Sequence, residues 1–568
     1  MENIFQLKKI FNYEQKRAFI YLSLIMLIYV LLEVAVLKSL LIILNFFSDQ
    51  QQNMESNIFL FLKNLETDLA IHLLIIFLFI IIFLIKTLTN ILLNHQRGKF
   101  LFFTRADLSS RLMKGYLYMP RVFHMRINTS ELVRNITVEV ENVITALLNL
   151  LTITLEILVL VGLVIFLSFV SFKVTFISFF ALIFFSFIVS GVNRKKTIIL
   201  GKKRVELINK RLKNIIEALT GSKTLTITGS RDKALLDFNE NNTQIASISQ
   251  KNYFRNNLPK PLFELFTVLL IGVLLTLVQQ KNIQISTIIP TLGVFLAAIY
   301  RLIPSFAHIM SGLQSYQFNI QSLTNLSIDF KKFKNLKKIS EANVKYEKSL
   351  NLKNVSFSYE NIKNKQIFKN LNLVIKKGSK IGIVGLSGSG KSTFLDLIMG
   401  LLPVDDGEIL IDEKNLKNNE SGWQKKIGCV PQEVFIIDDS LKRNIAFGEI
   451  DERINNQELS KAIELAGLKD FVQNLENKEN TIIGERGSRL SGGQRQRIGI
   501  ARAFYNRPEV IILDEATNAL DEQTETKIIK DIFETCKDKT IIFVSHNSRN
   551  LKYCDIIYQI KNQTFSTI

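Results

Sequence analysis

Cysteine is scarce in this 568-residue chain, which contains three: Cys429, Cys536 and Cys554. All three lie toward the C-terminal end, far from the long apolar stretches of the first 320 residues. Their spacing matches no metal-binding pattern and suggests no disulfide framework. We therefore expect a reducing, cytosolic setting for the C-terminal part of the chain.

Acidic residues are also few compared with basic ones. The chain has 51 Asp and Glu and 71 Lys and Arg, which gives a formal net charge of +20. Such an excess indicates either a nucleic-acid partner or the basic cytoplasmic loops of a membrane protein. The basic residues cluster between apolar runs, as in "NRKK" (193–196) and "GKKR" (201–204). This clustering favours the second explanation, and we expect no nucleic-acid partner.

Six apolar runs are long enough to cross a bilayer, which takes about 20 residues. The first is too long for a cleaved signal peptide, so we expect it to remain as an anchor. Lys and Arg are enriched before run one, between runs two and three, and between runs four and five, which places these segments and the C-terminal part in the cytoplasm. The runs lie near 19–47, 70–93, 144–170, 173–193, 258–278 and 285–312.

The two long cytoplasmic loops, about 94–143 and 194–257, have helical patterns that turn formers interrupt at 126–136 and 219–230. We expect a short cross-piece at each interruption, at the tip of a helical hairpin, where it would pass motion to the membrane helices. The outer segment 57–65 is apolar but too short to span. It is either an interfacial helix on the outer face or a loop packed on protein.

The stretch "GLSGSGKS" (385–392) lies between a strand pattern, "KIGIV", and a helix pattern, "TFLDLIMGLL". This is the context that a P-loop requires. Its glycines let backbone N–H groups surround phosphate oxygens at a helix N-terminus. Lys391 adds a positive charge at the β- and γ-phosphates, and Ser392 offers a hydroxyl to Mg²⁺. The predicted nucleotide-binding residues here are Gly385, Leu386, Ser387, Gly388, Ser389, Gly390, Lys391, Ser392 and Thr393.

A second motif, "VIILDE" (510–515), is a buried strand pattern that ends in two carboxylates. By itself it is equally well read as an ordinary strand end. Downstream of a P-loop it takes the Walker B role, in which Asp514 suits Mg²⁺ and Glu515 polarises the attacking water.

The stretch "LSGGQRQR" (490–497), between the two motifs, resembles the signature of the ATP-binding-cassette (ABC) family. Two further stretches agree with this resemblance: "TIIGERG" (481–487) is similar to the exporter-type X-loop, and "NALD" (518–521) is similar to the D-loop. Six membrane helices before one cassette is the plan of an ABC exporter half-transporter, so the resemblance covers the whole chain.

The resemblance also implies roles for three single residues. Tyr359 in "FSY" would stack on adenine, and Gln432 in "VPQ" would contact Mg²⁺ and sense the membrane domain. His546 would be the switch histidine at the γ-phosphate. The family usually follows this histidine with Arg and then Ser or Thr, whereas this chain has "SHNSRN" (545–550), which puts the local packing in question but not the activity.

In the ABC family, ATP lies between the P-loop of one cassette and the signature of another. This chain carries one of each, so the resemblance implies a homodimer with two equivalent ATP sites. Ser491 and the N–H groups of Gly492 and Gly493, at the start of a predicted helix, are suited to the partner's γ-phosphate. With Gln494 they complete the predicted nucleotide-binding set.

The cations within the apolar runs include Lys86, Lys260 and Arg301. A charge inside a bilayer is costly and usually faces a cavity or pathway. We expect these three to line a cavity that receives a diphosphate headgroup, because arginine binds phosphate oxygens bidentately. Pro304 would bend the helix next to Arg301 and open that cavity.

The alternative is that carboxylates neutralise these cations. Glu264 lies one helical turn from Lys260 and is placed to pair with it. Lys86 and Arg301 have no carboxylate within a turn on their own helices, but Glu33 or Glu156 on other helices could serve them.

For the fold we expect a polytopic α-helical membrane domain with long cytoplasmic extensions (1–326), a linker (327–349) and an α/β P-loop ATP-binding domain (350–568). Three functions fit such a chain in principle. They are an ATP-driven exporter or flippase, a soluble-type cassette ATPase acting on nucleic acid, and an ATP-gated channel or regulator. The six spans disfavour the second and the intact catalytic set disfavours the third.

Among exporters, the substrate class is the open question. The sequence shows no N-terminal peptidase domain, which weakens a peptide-processing role. The run "YRLIPS" (300–305), the short outer segment and the compact length resemble bacterial lipid-linked oligosaccharide flippases, which move polyprenyl-diphosphate glycans across the inner membrane for protein N-glycosylation. The alternative is a multidrug or lipid exporter of the lipid A or phospholipid class.

Overall fold

The computed structural model describes residues 11–47, 68–191, 194–280, 285–334, 344–359, 366–545, 548–561 and 563–568. Within these ranges the chain divides into two compact units, a helical one up to residue 334 and an α/β one from residue 344 onward. Residues 120–122 group with the second unit. The segment 57–65 and His546 lie outside the described residues.

The helical unit follows from the long apolar runs, each of which lies on a helix, and it confirms the predicted membrane domain. Among the described residues, four helices are long and apolar enough to cross a bilayer. The fourth run falls on a shorter apolar stretch, Phe172–Ile188. The helices are α1 (Tyr13–Phe47), α2 (Asp68–Leu117), α3 (Arg121–Arg126), α4 (Thr129–Arg134), a π-helix (Asn135–Glu139), α5 (Val140–Val170), α6 (Phe172–Gly191), α7 (Arg194–Thr220), α8 (Ser222–Ile227), α9 (Arg231–Asn257), α10 (Pro259–Gln280) and α11 (Ile285–Lys334).

The helices of this unit differ in how much of their apolar surface they bury. Only 6% of the apolar window of α2 is buried, against 44% to 50% in α1, in the helical stretch Thr129–Val170 and in α11. Exposed Leu, Ile and Phe on this scale would be unstable against water, but they match the hydrocarbon of a bilayer. The exposed face of α2 therefore suits bilayer lipid or the apolar surface of a second chain.

The first cross-piece was expected at 126–136, and this placement is wrong. The short helix that could serve as the cross-piece is α3, which ends at Arg126. The next helix begins after Asn128. The side chain of Asn128 accepts hydrogen bonds from the N–H and hydroxyl of Ser130, at 3.1 and 3.0 Å. This cap returns the chain to the helical unit, where Arg134 and Asn135 are buried. The second cross-piece is confirmed, because α8 is a six-residue helix with no buried residue.

The α/β unit is built on two sheets. The larger has the order β10-β9-β3-β8-β7-β6, with β9, β3, β8, β7 and β6 parallel, and the smaller has the antiparallel order β2-β1-β4-β5. The strands are β1 (Ser349–Ser358), β2 (Gln366–Lys376), β3 (Lys380–Gly385), β4 (Asp406–Ile411), β5 (Lys414–Asn415), β6 (Ile427–Val430), β7 (Val510–Asp514), β8 (Thr540–Val544), β9 (Ile556–Lys561) and β10 (Thr564–Thr567).

Helices cover the larger sheet and complete its hydrophobic core. They are α12 (Lys391–Ile398), α13 (Glu420–Gln424), α14 (Leu441–Ile445), α15 (Asn456–Leu465), α16 (Lys469–Gln473), α17 (Gly492–Tyr505) and α18 (Glu522–Thr535). Because β3 and β7 are both parallel to β8, their carboxyl ends meet at one edge of the sheet, where α/β proteins bind ligands. The proposed linker, 327–349, begins while α11 still continues.

A buried lysine fixes the amino end of β3. Lys380 Nζ lies within hydrogen-bonding distance of four carbonyl oxygens, which share its three N–H groups: those of Gly378 at 3.0 Å, Cys536 at 3.1 Å, Lys537 at 3.1 Å and Lys539. Three of these carbonyls belong to the turn that follows α18, and the carbonyl of Cys536 also accepts the backbone N–H of Lys539 at 3.1 Å. Burial lowers the pKa of Lys380. The lysine therefore joins the end of α18 to the strand that leads into the P-loop.

We predict that Lys380→Met destabilises the full-length protein by about 1–3 kcal/mol, because buried carbonyls lose their donor while the packed volume is kept. The measurement is the thermal denaturation midpoint in detergent. Lys537→Met, which changes an exposed side chain on the same loop, is the control and should leave the midpoint nearly unchanged. Equal midpoints for both variants would contradict the role of Lys380.

Candidate functional site

The P-loop residues lie between β3 and α12, in the predicted order of strand, loop and helix. Gly388 and Gly390 have φ of 77° and 104°, in the left-handed region that glycine adopts without strain. A Cβ on Gly390 would also come within 3.0 Å of Ile367 and Phe368. The loop conformation therefore requires glycine at this position.

The interior of this loop fits a phosphate group. Lys391 Nζ donates to the carbonyl oxygens of Gly385 at 2.9 Å and Leu386 at 3.3 Å, so the loop itself wraps around its charge. The hydroxyl of Ser389 is buried and has no hydrogen-bond partner among the described residues. A buried hydroxyl without a partner is costly, and a phosphate oxygen would satisfy it.

Asp514 and Ser392 come together across the ends of β7 and α12. Burial, followed by the charge of Glu515, raises the pKa of Asp514, and the neighbouring Ser392 side chain acts in the opposite direction. Carboxylate and hydroxyl oxygens are ligands that Mg²⁺ accepts, and this ion is usually held by one or two carboxylates together with substrate phosphates. The two side chains therefore fit Mg²⁺ bound together with a nucleotide.

Glu515 is held in an unusual position. Its φ is 49°, a left-handed conformation that costs a non-glycine residue about 1–3 kcal/mol and is concentrated at functional sites. Its Oε2 accepts hydrogen bonds from the side-chain amides of Gln432 at 2.9 Å and Asn518 at 3.0 Å. The structure thus brings together Gln432 and Glu515, which the sequence analysis had selected separately.

Sequence reasoning did not select Asn518, although it begins the "NALD" stretch. Its side chain is exposed, and its only sequence signal was its place three residues after Glu515.

Tyr359, the residue expected to stack on adenine, lies next to the last P-loop residue. Its hydroxyl is 3.2 Å from Thr393 Oγ1, and its ring packs edge-on against Phe357.

The signature residues form the start of α17. Ser491 is the N-cap: its Oγ accepts from the N–H of Gln494 at 3.2 Å, and Gln494 Oε1 accepts from the N–H of Ser491 at 2.8 Å. This reciprocal capping box occupies the Gln494 side chain locally. A Cβ on Gly493 would lie 3.1 Å from the carbonyl oxygen of Ala519, so glycine permits the close approach of the D-loop.

In the helical unit, Lys86 and Arg301 meet at one carboxylate. Lys86 Nζ lies 2.9 Å from Glu33 Oε2, and Arg301 Nε lies 2.9 Å from Glu33 Oε1. Arg301 also lies 3.3 Å from Glu156 Oε2. We call Glu33, Lys86, Glu156 and Arg301 the intramembrane charge cluster. It connects α1, α2, α5 and α11.

Two polar side chains of α11 extend the charge cluster. Ser305 Oγ donates to Glu156 Oε2 at 2.7 Å, and His308 Nδ1 lies 3.1 Å from Glu156 Oε1. Neutralisation by carboxylates of other helices therefore holds for Lys86 and Arg301, which are not free cations. Their role as substrate residues remains a prediction.

Lys260 does not join them in the part of the chain that the structure describes. It is exposed at the second position of α10, and no ion pair with Glu264 is seen in the described residues. The sequence analysis grouped Lys260 with Lys86 and Arg301 because each is a cation within an apolar run. That shared feature does not bring residues of different helices into contact.

We predict that Glu33→Gln destabilises the protein strongly, on the order of 3–5 kcal/mol, because both cations lose a buried partner. Adding Lys86→Met should restore much of this loss, since one cation and one carboxylate then remain. The measurement is the denaturation midpoint of the two single variants and the double variant. Additive losses would show that Glu33 and Lys86 are not coupled.

Comparison with known families gives two matches to this chain. A model described as "ABC transporter transmembrane region" matches residues 19–301, and one described as "ABC transporter" matches residues 368–518. Together they cover about three quarters of the chain, on either side of the junction between the two units.

Known relatives match the chain at about 40% identity over part of its length. The human ATP-binding cassette sub-family B member 5 is 38% identical over 208 residues, which are 36% of this chain and 16% of that protein. The leukotoxin translocation ATP-binding protein LktB of Mannheimia glucosida is 42% identical over 192 residues, 34% of this chain and 27% of that protein. A putative multidrug export ATP-binding/permease protein of Staphylococcus aureus (strain NCTC 8325 / PS 47) is 40% identical over 208 residues, 36% of each.

The matched stretches thus span little more than a third of these relatives at most. A solved structure of a bacterial Atm1-family ABC exporter with ATP bound shares the fold over 97% of this chain and 95% of its own, with a TM-score of 0.80 and 21% identity. With both family models in their expected order on this fold, the chain belongs to the ABC transporter family.

Proposed function

We propose that the chain is one half of a homodimeric ABC exporter, which hydrolyses ATP to move an amphiphilic substrate out of the cytoplasmic side of the membrane. The observation that carries the proposal is the placement of Glu515. Two amides hold this carboxylate at the edge of the sheet where the P-loop and the Ser392–Asp514 pair also lie.

Each part of this site has a distinct task in hydrolysis. The P-loop N–H groups and Lys391 bind the phosphates, and Ser392 with Asp514 would hold Mg²⁺. When bound, Mg²⁺ would neutralise part of the negative charge of the phosphates. Glu515 would orient and polarise the attacking water, and Gln432 would lie beside the γ-phosphate. The resemblance assigns His546 to the γ-phosphate as well.

The dimer follows from the distribution of the motifs. ATP bound at the P-loop of one chain would be closed off by Ser491, Gly492 and Gly493 of a second chain. The solved exporter that shares this fold was determined with ATP bound. The apolar helices and the basic loops support a multi-pass protein of a bacterial inner membrane, with the N-terminus and the ATPase domain in the cytoplasm.

The pairing of the cations changes the choice of substrate. A polyprenyl-diphosphate glycan was expected from the resemblance to lipid-linked oligosaccharide flippases and from a cationic lining of Lys86, Lys260 and Arg301. Two of these three cations, Lys86 and Arg301, already contact carboxylates. Two relatives are named as a putative multidrug exporter and a leukotoxin translocation protein, and neither name refers to a glycan. We therefore favour a drug-like or lipid amphiphile.

One observation keeps the lipid-linked oligosaccharide as the second candidate. The side chains of Lys86 and Arg301 are 19% and 21% exposed, while those of Glu33 and Glu156 are 6% and 7% exposed. The accessible edge of the charge cluster is therefore its cationic edge, which a diphosphate would contact first.

We predict that Glu515→Gln abolishes ATP turnover, lowering it at least about 100-fold, while ATP binding persists, because the amide fits the site but polarises water poorly. Lys391→Ala should instead lose productive ATP binding. ATPase assays and nucleotide-binding titrations on the purified full-length protein separate the two effects. Near-normal turnover in the Glu515→Gln variant would reject the assignment.

We predict ATP-dependent movement of a fluorescent phospholipid or a hydrophobic dye in proteoliposomes, and none of it in Glu515→Gln. A polyprenyl-diphosphate glycan is tested in parallel with Lys86→Ala/Arg301→Ala. If the double variant keeps its ATPase activity but no longer flips a glycan that the wild type flips, the lipid-linked oligosaccharide replaces the drug-like or lipid amphiphile as the substrate.

A further inference from the structure

We infer that Gln496 and Arg502, both on the signature helix α17, are positioning residues that fix Glu515 for hydrolysis. The inference rests on the proposed ATPase function. Glu515 Oε2 is held by the amides of Gln432 and Asn518, which belong to two different chain segments. Each of these two segments is in turn bonded to α17.

The first anchor is Arg502, which holds the segment that follows Gln432. Its Nη1 donates to the carbonyl oxygen of Phe435 at 2.7 Å and its Nε to that of Asn444 at 2.8 Å. Its guanidinium lies 4.8 Å from the centre of the Phe447 ring. Burial lowers the pKa of Arg502 to about 10, so the group stays charged at neutral pH and its fork of donors is complete.

Two neighbouring residues, Asn444 and Gly499, restrict the movement of the segment that Arg502 holds. Asn444 is fully buried, and its side-chain amide exchanges two hydrogen bonds, each of 3.0 Å, with the backbone of Ile437. A Cβ on Gly499 would lie 2.5 Å from Val434 Cγ2, so this segment packs directly on the backbone of α17. Gln432 is only two residues before Val434 and has little freedom to move independently of α17.

The second anchor is Gln496, which holds the D-loop. Its Oε1 accepts a hydrogen bond from the backbone N–H of Ala519 at 2.8 Å, and the side chain is buried. The preceding residue, Asn518, donates to Glu515 Oε2. This hydrogen bond from α17 therefore holds the D-loop next to the second amide donor, in addition to the turn bond from the N–H of Asn518 to the carbonyl oxygen of Glu515 at 3.3 Å.

A displacement of α17 would thus move both donors of Glu515 Oε2 together. The same helix begins at Ser491, the residue proposed to contact ATP on the partner chain. Neither anchor touches the P-loop in the described contacts. Loss of an anchor should therefore lower the rate of hydrolysis and leave the apparent affinity for ATP nearly unchanged.

The first test is ATP hydrolysis by full-length Gln496→Met and Arg502→Lys. We expect kcat to fall about tenfold, which corresponds to one lost hydrogen bond, with KM for ATP within about twofold of the wild type. Gln496→Glu keeps the acceptor oxygen and should retain most of the activity. Arg507→Lys is the matched control, because Arg507 follows α17 but pairs with Glu458, away from Glu515.

Denaturation midpoints of all variants separate positioning from misfolding. If the loss of kcat merely follows the folded fraction, or if Gln496→Met and Arg502→Lys match Arg507→Lys, the inference is overturned. Wild-type protein without ATPase activity would instead overturn the proposed function itself, so the two failures are distinguishable.

Mixed dimers test whether Gln496 acts on Glu515 of its own chain. One dimer carries Gln496→Met and Glu515→Gln in the same subunit, and the other carries them in opposite subunits. The inference predicts that the second dimer is about tenfold less active, because its only intact Glu515 has lost its anchor. The reverse order, expected if Gln496→Met only weakens the grip on the partner's ATP, or equal activities would overturn it.

Discussion

The chemistry proposed for the cassette depends on the position of one carboxylate oxygen, Glu515 Oε2. Parallel pairing of β7 with β8 delivers the residue to the edge of the sheet, and a left-handed backbone turns it there. Two neutral amides donate hydrogen bonds to this oxygen, and neither amide carries a charge that would neutralise the carboxylate. An arginine in place of the amides would hold the carboxylate more tightly but would make it less basic. A residue that polarises water needs to remain basic.

The membrane unit handles its carboxylates in the opposite way. Glu33 and Glu156 lie among apolar helices, where an uncompensated charge costs several kcal/mol, and each directly contacts a cation. Full pairing removes reactivity and joins helices that are distant in sequence. The difference between the two carboxylate environments, amides in the cassette and cations in the membrane unit, matches the proposed division between catalysis and transport.

Local motifs could be predicted from the sequence, and long-range pairs could not. The P-loop and "VIILDE" are contiguous, so strand, loop and helix patterns sufficed to place them. Arg301 and Glu33 are 268 residues apart, and which of several carboxylates would meet Arg301 depended on helix packing. The first cross-piece was misplaced because Asn128 looked like one more turn former, whereas its side chain caps a new helix.

The charge cluster also shows why a cation in a span does not by itself specify a substrate. A ligand phosphate must compete with carboxylates that already lie 2.9 to 3.3 Å from the same donors, and any carboxylate it displaces is left buried without a partner. For a substrate that reached the cluster, selectivity would depend on the net charge of the cluster rather than on Arg301 alone. With two carboxylates and two cations the formal sum is zero, and such a cluster would favour an uncharged or zwitterionic amphiphile over a dianion.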